Sequence, residues 1–477
     1  MKLQMKRFKK YWGRSSAFVL LAISSVSADA QTIVSDNKDV EKAFKLAIQV
    51  VEGNERDGIL AAGGDYGGEW TRDIAINSWN AASLLWPEVA EKSLWSVTIN
   101  KDSIGHQYWD KIIWSIAALH HYYVNGDRAF LQQAFTCTKN TMLQLENTQF
   151  DQQSGLFMGP SVFNDGIAGY PEPVFDPSNL STFVLDHRNS HRIKCLSTNA
   201  TYYEAYRVLE KMSQILRTNE DGQFRSKATR LKDNILKNLY SANTNTFNYL
   251  LDHTGKADRS QEALGISFAA FFDILDIKKA KDVIAKAHVS KFGIPSVYPD
   301  FPRYSADTPG RHNNIIWPMV NGFYAKAAIH TGNYDRFEHE LSSLTHLAID
   351  KDKGNMDFRE IYSPYTGAAF GGWQSNKLTL SCRRQTWSAT AYIDMILYGV
   401  VGMRFDNADG ITFRPYMPSD ISRIQINKVR YRGRYLNISV EGKGSKIKAM
   451  YVNGAKASNA TVGHLPQQNN DIRIVMM

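Results

Sequence analysis

Cysteine is scarce in this 477-residue chain, and its scarcity limits how the fold can be cross-linked. The three cysteines, Cys137, Cys195 and Cys382, cannot all pair, and their spacing does not suit a metal site. One disulfide and three buried free thiols are both compatible with the sequence. A chain of this length has to rely on a hydrophobic core, and it is long enough for one large domain and a smaller one.

Two further features are missing after residue 30, namely a long apolar run and a strong excess of one charge. No later segment is apolar for long enough to cross a bilayer. The formal net charge is +9, but residues 1–30 contain six basic residues against one acidic residue, which leaves +4 for the remainder. A small surplus spread along the chain does not indicate a nucleic-acid-binding protein.

The first thirty residues have the pattern of a secretory signal peptide. Basic residues in MKLQMKRFKKYWGR precede the short apolar run SSAFVLLAISSVSA, and Ala28 and Ala30 suit a cleavage site before Gln31. A short N-terminal membrane anchor is the alternative interpretation. We therefore expect a protein exported to the periplasm or secreted.

From residue 38 to 402, apolar residues recur at helical spacing. In the helix expected over 197–217, for example, Ala205, Leu209 and Met212 belong to one apolar stripe. Helical hairpins with apolar faces on both sides have to pack in two layers, which predicts an (α/α)6 toroid of six inner and six outer helices. An open bundle or a solenoid is the alternative, although no sequence repeat supports a solenoid. The helices are expected near 38–52, 71–86, 87–99, 107–125, 128–146, 197–217, 221–239, 261–275, 277–289, 313–331, 333–349 and 384–401.

The helical pattern is interrupted at 53–70, 147–196 and 350–383. Long ordered loops usually carry function, and loops at one end of a toroid lie close together in space. After residue 402, apolar and polar residues alternate, as in a β-strand. The sequence therefore predicts a mainly α fold, with a toroid over 31–402 and a small C-terminal antiparallel β domain over 403–477.

Acidic, polar and aromatic residues recur where loops meet the expected helices. An arginine–aspartate pair beside an aromatic ring can bind sugar hydroxyl groups, although helix caps, surface salt bridges, tight turns and core tryptophans explain single occurrences equally well. The candidates for binding a sugar are Trp70, Arg72, Asp73, Trp109, Asp110, Trp114, Asn164, His312, Asn313, Trp317, Gln385 and Trp387.

Two carboxylates lie in the most loop-like and glycine-flanked settings. Asp165 lies between Asn164 and Gly166, and Glu360 begins a segment rich in glycine and tyrosine, EIYSPYTGAAFGGWQS. Cleavage of a glycosidic bond needs one protonated carboxyl group for the leaving oxygen and one ionised group that activates water or attacks carbon. Asp165 and Glu360 are the candidates for this pair.

The ordered set of motifs resembles the six-hairpin glycosidases. These include glycoside hydrolase families 63 and 37, mannosylglycerate-hydrolase-like enzymes, glycogen-debranching enzymes and glucoamylases. EWTRDIAINSW is similar to their sugar-binding tryptophan-x-arginine-aspartate segment, and YWDKIIWSIAALHHYYVNGD resembles an aspartate-x-x-x-tryptophan helix with a Gly-Asp turn. RHNNIIWPMVNGFY, REIYSPYTGAAFGGWQS and RRQTWSATAYIDMILYG match later motifs in the same order. The resemblance covers most of residues 60–420.

The resemblance implies roles for particular residues. Glu360 would be the general base and Asp165 the general acid, while Trp373 would help to form the pocket around a terminal sugar. Families 63 and 37 invert configuration, so the two carboxyl groups should lie roughly 6.5–9.5 Å apart. An acid that stays protonated near neutral pH should occupy the drier, more apolar environment, which is therefore expected around Asp165.

The expected activity is that of an exo-acting, inverting glycoside hydrolase. It would remove a terminal α-linked sugar, glucose or mannose by family analogy, from an oligosaccharide or glycan. No cofactor and no metal are expected. A phosphorylase with the same fold, a non-catalytic glycan-binding protein and a polysaccharide lyase are the alternatives.

Overall fold

The computed structural model describes residues 31–66, 68–105, 109–350, 355–463 and 465–477. The predicted signal peptide, residues 1–30, lies outside the described residues. Twelve helices follow one another in the described part of the chain, and odd numbers denote the outer helices. These are α1 Lys38–Glu52, α3 Pro87–Ser96, α5 Arg128–Gln149, α7 Asp221–Leu239, α9 Ile277–Lys286 and α11 Tyr334–Ile349.

Even numbers denote the inner helices. They are α2 Thr71–Asn77, α4 Trp114–Asn125, α6 Leu196–Leu216, α8 Ala263–Phe271, α10 Pro318–Thr331 and α12 Thr386–Asp394. Two of them continue through π-helical segments, α2 through Ser78–Ala82 to a last turn at Ser83–Leu85, and α12 through Met395–Val400.

The inner helices form a closed ring. Each packs against the next, and α12 returns to contact α2. Helix α2 is buried on all sides, as is α12, whereas α1 buries only one face. Close packing requires a glycine in α10, because a Cβ atom at Gly322 would lie 2.8 Å from the Ala391 Cβ. This arrangement confirms the predicted (α/α)6 toroid.

The two ends of the ring differ in the length of their connections. Segments that lead from an outer to an inner helix are long, and they meet at what we call the long-loop end: 53–70, 97–113, 150–195, 240–262, 287–317 and 350–385. Segments that lead from an inner to an outer helix are short, and they define the short-turn end: 86, 126–127, 217–220, 272–276 and 332–333. All three loops predicted from the sequence therefore lie at the same end.

The C-terminal region is a six-stranded sheet next to a smaller one. The strand order in the large sheet is Thr32–Ser35, Arg423–Tyr431, Arg434–Glu441, Asn469–Met476, Ile447–Val452, Ala455–Lys456. Its pairs are antiparallel, as predicted, except that the third and fourth strands are parallel, with Leu436 opposite Asn470. The strand Thr32–Ser35 precedes the toroid in sequence, yet it pairs with the C-terminal sheet. The predicted domain boundary between residues 402 and 403 thus assigns this strand to the toroid, although the strand belongs to the C-terminal sheet.

Two expectations about the whole chain can be compared with the structure. Cys137, Cys195 and Cys382 are buried and unpaired, so the free-thiol interpretation applies to all three. Among the residues that the structure describes, no helix has the length and apolar character needed to cross a membrane.

Candidate active site

A small cavity of about 170 Å³ lies at the long-loop end of the ring. The N-termini of α2 and α12, the loops before α2, α10 and α12, and the long loop before α6 supply its walls. The lining residues are Ala62, Tyr66, Trp70, Arg72, Asp73, Phe163, Asp165, Arg311, His312, Trp317, Glu360, Gln385 and Trp387. Nine residues selected from the sequence for catalysis or sugar binding are therefore brought together here, although they come from five separate segments.

Glu360 is held in the cavity wall from two sides. Its backbone N–H donates to the Cys382 carbonyl at 2.9 Å, and the Cys382 N–H donates to its Oε2 at 3.3 Å. Its other oxygen, Oε1, accepts a hydrogen bond of 2.7 Å from Nη2 of Arg311, and both side chains are about 95% buried. A charge-assisted bond of this kind fixes the orientation of the carboxylate.

Arg311 in turn depends on the glycines of the Glu360 loop. A Cβ atom at Gly372 would lie 2.6 Å from the Arg311 backbone, so only glycine permits this approach. The guanidinium group also lies 5.5 Å from the centre of the Trp317 ring and 3.3 Å from the Tyr66 hydroxyl oxygen. The glycine-rich loop after Glu360 therefore packs closely on the segment that carries its arginine partner.

Asp165 projects from the long loop before α6. Its Oδ2 accepts a hydrogen bond of 2.5 Å from Nη2 of Arg72, and its Oδ1 lies 3.7 Å from Nε2 of His312. The backbone at Phe163, two residues earlier, has a φ of +63°, which is unusual for a bulky residue and is often found at functional sites. A Cβ at Gly166 would come within 2.3 Å of Nδ1 of His312, so a glycine is needed next to the carboxylate.

Arg72 connects two acidic side chains. Its Nη1 donates to Oδ2 of Asp110 at 3.2 Å, while its Nη2 donates to Asp165. Burial opposes the charge of Arg72, but Asp165, Asp110 and Asp73 raise its pKa above the usual value. Asp110 is fully buried behind the guanidinium group, so it positions Arg72 and does not line the cavity.

Asp73 is a third carboxyl group in the cavity wall. It lies in the first turn of α2 and its side chain is buried. Burial raises the pKa of Asp73 to about 7, and the nearby Asp165 and Glu360 carboxylates add to this effect while Arg72 opposes it. Below pH 7, burial therefore keeps the Asp73 carboxyl group protonated.

Aromatic rings and unpaired polar atoms complete the cavity. His312 is stacked on Trp317 with ring centres 4.6 Å apart, and Trp387 lies edge-on to the same indole at 5.9 Å. Burial and the charges of Arg311 and Arg72 lower the pKa of His312 well below its usual range, so its ring is neutral. Within the described part of the chain, four buried polar atoms of the lining residues have no hydrogen-bond partner: Arg72 Nε, Trp317 Nε1, Trp387 Nε1 and Gln385 Oε1. Three donors and one acceptor beside apolar ring faces suit a polyhydroxylated ligand.

Comparison with known protein families gives a specific match. Residues 87–388, well over half of the chain, match the mannosylglycerate hydrolase MGH1-like glycoside hydrolase domain. The chain belongs to this family. Residues 403–458 match the C-terminal domain of glycosyl hydrolase family 65, within the β region. A search of curated proteins found no significant match.

Solved structures agree on the fold of the MGH1-like hydrolase. The GH63 mannosylglycerate hydrolase from Thermus thermophilus, in complex with glucose, is 16% identical with a TM-score of 0.58 and covers 74% of this chain and 99% of its own. A protein described as a sialidase is 16% identical, with a TM-score of 0.69 over 90% of this chain and 41% of its own. The GH78 rhamnosidase of Bacillus sp. GL1 is 11% identical, with a TM-score of 0.62 over 94% of this chain and 44% of its own. This chain thus spans less than half of the sialidase and rhamnosidase chains, and these identities concern the fold alone.

Family membership confirms the resemblance to six-hairpin glycosidases and the prediction of an enzyme. The protein is a glycoside hydrolase. Among the described residues, no group of three His, Cys, Asp or Glu side chains is arranged to hold a metal ion.

The prediction that Asp165 occupies the drier, more apolar environment is wrong. Its side chain is 26% exposed and contacts a guanidinium group, whereas the Glu360 side chain is 5% exposed. The sequence did not indicate that Arg72, far away along the chain, would pair with Asp165. The drier carboxyl groups of the MGH1-like hydrolase are Glu360 and Asp73.

Five predicted sugar-binding residues lie outside the cavity lining, in addition to Asp110. Trp114 is fully buried in the core, where its Nε1 donates to the Leu94 carbonyl at 2.7 Å. The other four are Trp109, Asn164, Asn313 and Trp373. The side chains of three of these, Trp109, Asn164 and Asn313, form hydrogen bonds to neighbouring loop atoms. The backbone of Trp373 forms hydrogen bonds with Pro309 and Arg311. Their positions support a role in holding the loops together and give no support to contact with a sugar.

Four lining residues were not selected from the sequence, namely Ala62, Tyr66, Phe163 and Arg311. Arg311 directly precedes His312, and Phe163 directly precedes Asn164, so both lie within motifs already singled out. An arginine next to the His-Asn motif was the available signal for Arg311. No comparable signal marks Tyr66, which lies in a glycine-rich loop.

Proposed function

We propose that this hydrolase removes one terminal α-linked sugar, of the glucose or mannose type, from a glycan by inverting hydrolysis. The observation that carries the proposal is that Asp165 and Glu360, from two distant loops, line the same small cavity. Each is held by its own arginine, so the two carboxyl groups have separate and fixed supports.

The reaction uses the two carboxyl groups in different ways. The Glu360 carboxylate takes a proton from a water molecule, whose oxygen attacks the anomeric carbon from one face of the sugar. The bond from that carbon to the leaving oxygen breaks, and Asp165 gives its proton to the leaving oxygen. The carboxyl separation of roughly 6.5–9.5 Å that inversion requires stays a prediction.

The shape and lining of the cavity support removal of a single end sugar. The space of about 170 Å³ lies between inner-helix N-termini and suits one sugar ring better than a polysaccharide passing through. The unpaired indole N–H groups of Trp317 and Trp387 and the carbonyl oxygen of Gln385 are available to sugar hydroxyl groups.

Asp73 is the alternative proton donor. Asp165 is in contact with Arg72, whereas burial keeps a proton on Asp73 up to about pH 7. In the proposed mechanism Asp165 exchanges its contact with Arg72 for the leaving oxygen, and Asp73 binds a sugar hydroxyl group.

Aryl α-glycosides with graded leaving groups separate these roles. A good leaving group needs no proton, so the variant that lacks the acid should keep most of its activity with activated substrates and lose it with poor leaving groups. We expect this pattern for Asp165→Asn. Glu360→Gln should lose activity to the same extent with every leaving group. Asp73→Asn should also lose activity equally with every leaving group, mainly through a higher KM. If Asp73→Asn shows the leaving-group dependence and Asp165→Asn does not, the acid is Asp73. An α-configured first product of an α-glycoside, followed by NMR, would exclude inversion.

We also propose that residues 1–30 direct export of the enzyme. The test is expression of the full-length chain in a bacterial host, followed by fractionation and mass spectrometry of the mature N-terminus. A protein that begins near Gln31 and is released with the periplasm supports the proposal, and an intact Met1 in the cytosolic fraction contradicts it.

A further inference from the structure

A second cavity, of about 230 Å³, lies at the short-turn end of the ring. Its walls come from the C-terminal halves of inner helices and from residues 403–406, where the chain enters the β region. None of its lining residues belongs to the candidate active site. Its chemistry therefore needs an explanation of its own.

Four buried charged groups line this cavity, and one of them, Glu204, pairs with Lys211 at 3.4 Å. Nζ of Lys326 lies 3.0 Å from Oδ1 of Asp394, so these two charges compensate each other. Arg404 is only 5% exposed, and among the described residues it forms no ion pair within 4 Å. Its Nη1 donates to the backbone carbonyls of Tyr398 and Met403, and the Asp394 and Asp406 carboxylates attract its charge from beyond ion-pair distance, so no carboxylate of the described residues contacts it directly. Buried charges are normally paired, because their desolvation is costly.

Two polar side chains in the same wall are also incompletely bonded. Within the described part of the chain, Oδ1 of Asn80 and Nε2 of His120 are buried and have no hydrogen-bond partner. Asn80 is 96% buried. Burial lowers the pKa of His120 to about 3, so its ring is neutral. A neutral imidazole has one donor and one acceptor nitrogen, and a hydroxyl group can pair with either. A native structure rarely leaves such groups unsatisfied unless a ligand or water completes them.

Aromatic faces complete the lining. The Arg404 guanidinium carbon lies 3.4 Å from the centre of the Tyr398 ring, and the Lys326 ammonium lies 4.5 Å from that of Trp79. These contacts fix both cations on the wall, so that they are preorganised for a ligand.

We propose that this cavity is a second ligand site for a small hydroxylated carboxylate, such as a sugar acid. The carboxylate pairs with Arg404, and the hydroxyl groups bind Asn80 and His120. The proposal is independent of the hydrolytic mechanism, because it involves no residue of the candidate active site.

Isothermal titration of the mature enzyme tests the site, with gluconate as probe and sorbitol as its uncharged counterpart. We expect one gluconate to bind per chain and sorbitol not to bind. Arg404→Gln should weaken gluconate binding at least about tenfold, because it removes a charge-assisted pair. Asn80→Asp, which is nearly isosteric, should weaken it similarly, because its carboxylate repels the ligand and compensates Arg404 internally.

Further variants locate the binding. Glu360→Gln, at the other end of the ring, should leave gluconate affinity unchanged. If Glu360→Gln abolishes binding while Arg404→Gln and Asn80→Asp do not, gluconate occupies the active site and the proposal is wrong. Absence of binding at millimolar gluconate, equal binding of sorbitol, or equally tight binding of inorganic phosphate would also overturn it. Asn80→Asp keeps the test valid if Arg404→Gln does not fold.

Discussion

The two ends of the helical ring are built from the same six inner helices, yet they differ in almost every other respect. The long-loop end receives six long connections, and its cavity brings together the carboxyl groups of Asp73, Asp165 and Glu360 with Arg72 and Arg311. Two further lining residues, Phe163 and His312, have a positive φ although neither is glycine. At the short-turn end, connections are at most five residues long, and two of them use glycine in the left-handed region, at Gly126 and Gly332.

Loop length explains this difference. A short turn has only enough chain to reverse direction, so its residues are selected for backbone geometry. A long loop can bring side chains from distant positions over the ring. The catalytic function of this enzyme is therefore expected at one end only, and four changes test that expectation.

The largest effect is expected from Glu360→Gln. Loss of the proposed base should lower kcat/KM by about 10²–10⁴-fold, since general-base catalysis contributes that much. Glu88→Gln is the matched control, because Glu88 forms an exposed pair with Arg430 at the short-turn end. Kinetics with an aryl glycoside measure both, and full activity of Glu360→Gln would remove this residue from the mechanism.

Arg72→Lys should follow, with a loss of roughly 10–100-fold in kcat/KM. A lysine cannot span Asp110 and Asp165 as the two Nη atoms of Arg72 do, so Asp165 would lose its fixed position. Arg430→Lys, in the exposed pair with Glu88, is the control and should retain activity. Equal kinetics for the two variants would show that the Arg72 bridge has no role in positioning.

Asp73→Asn should change how stability depends on pH. The folded-state pKa of Asp73, about 7, lies above its unfolded value, so its contribution to stability is fully present below pH 4 and is lost as the pH rises through 7. The asparagine variant lacks this loss. Its free energy of unfolding, relative to that of the wild type, should therefore rise by up to a few kcal/mol between pH 4 and 8. Urea unfolding across this range measures the difference, and parallel curves would contradict the burial effect.

The smallest effect is expected from Gly332→Ala at the short-turn end. Gly332 ends α10 with a φ of +72°, where an alanine costs about 1–2 kcal/mol of backbone strain. The melting temperature should fall by a few degrees while kcat/KM stays unchanged. A selective loss of activity without loss of stability would mean that the two ends are coupled.

The helices were predictable because their signals are local. The start of α1 at Lys38, for example, follows from Asn37, whose side chain caps the N–H groups of Asp39 and Val40, and from an apolar stripe on one face. The strand Thr32–Ser35 was missed, because its partner lies almost four hundred residues later in the chain. Strand pairing over such a distance leaves no periodic signal in the shorter segment.

The site was predictable in part, for the same reason. Junctions between loops and inner helices supplied Asp73 and Trp387, and the glycine-rich loop supplied Glu360, and all three line the cavity. The sequence could not separate Trp317, which lines the cavity, from Trp114, which is buried in the core, because both begin or precede a helix. Only the packing of neighbouring helices decides which indole faces the cavity.

The sequence by itself determined the ring of helices and the long loops that meet at one end of it, and it singled out the two loop carboxylates. The tertiary structure alone decided that Arg311 holds Glu360, that Arg72 holds Asp165, and that Asp73 is the carboxyl group that burial protonates. Helix formation depends on residues a few positions apart, whereas the state of a buried charge depends on every charge and dipole that the folded chain brings within a few ångströms of it.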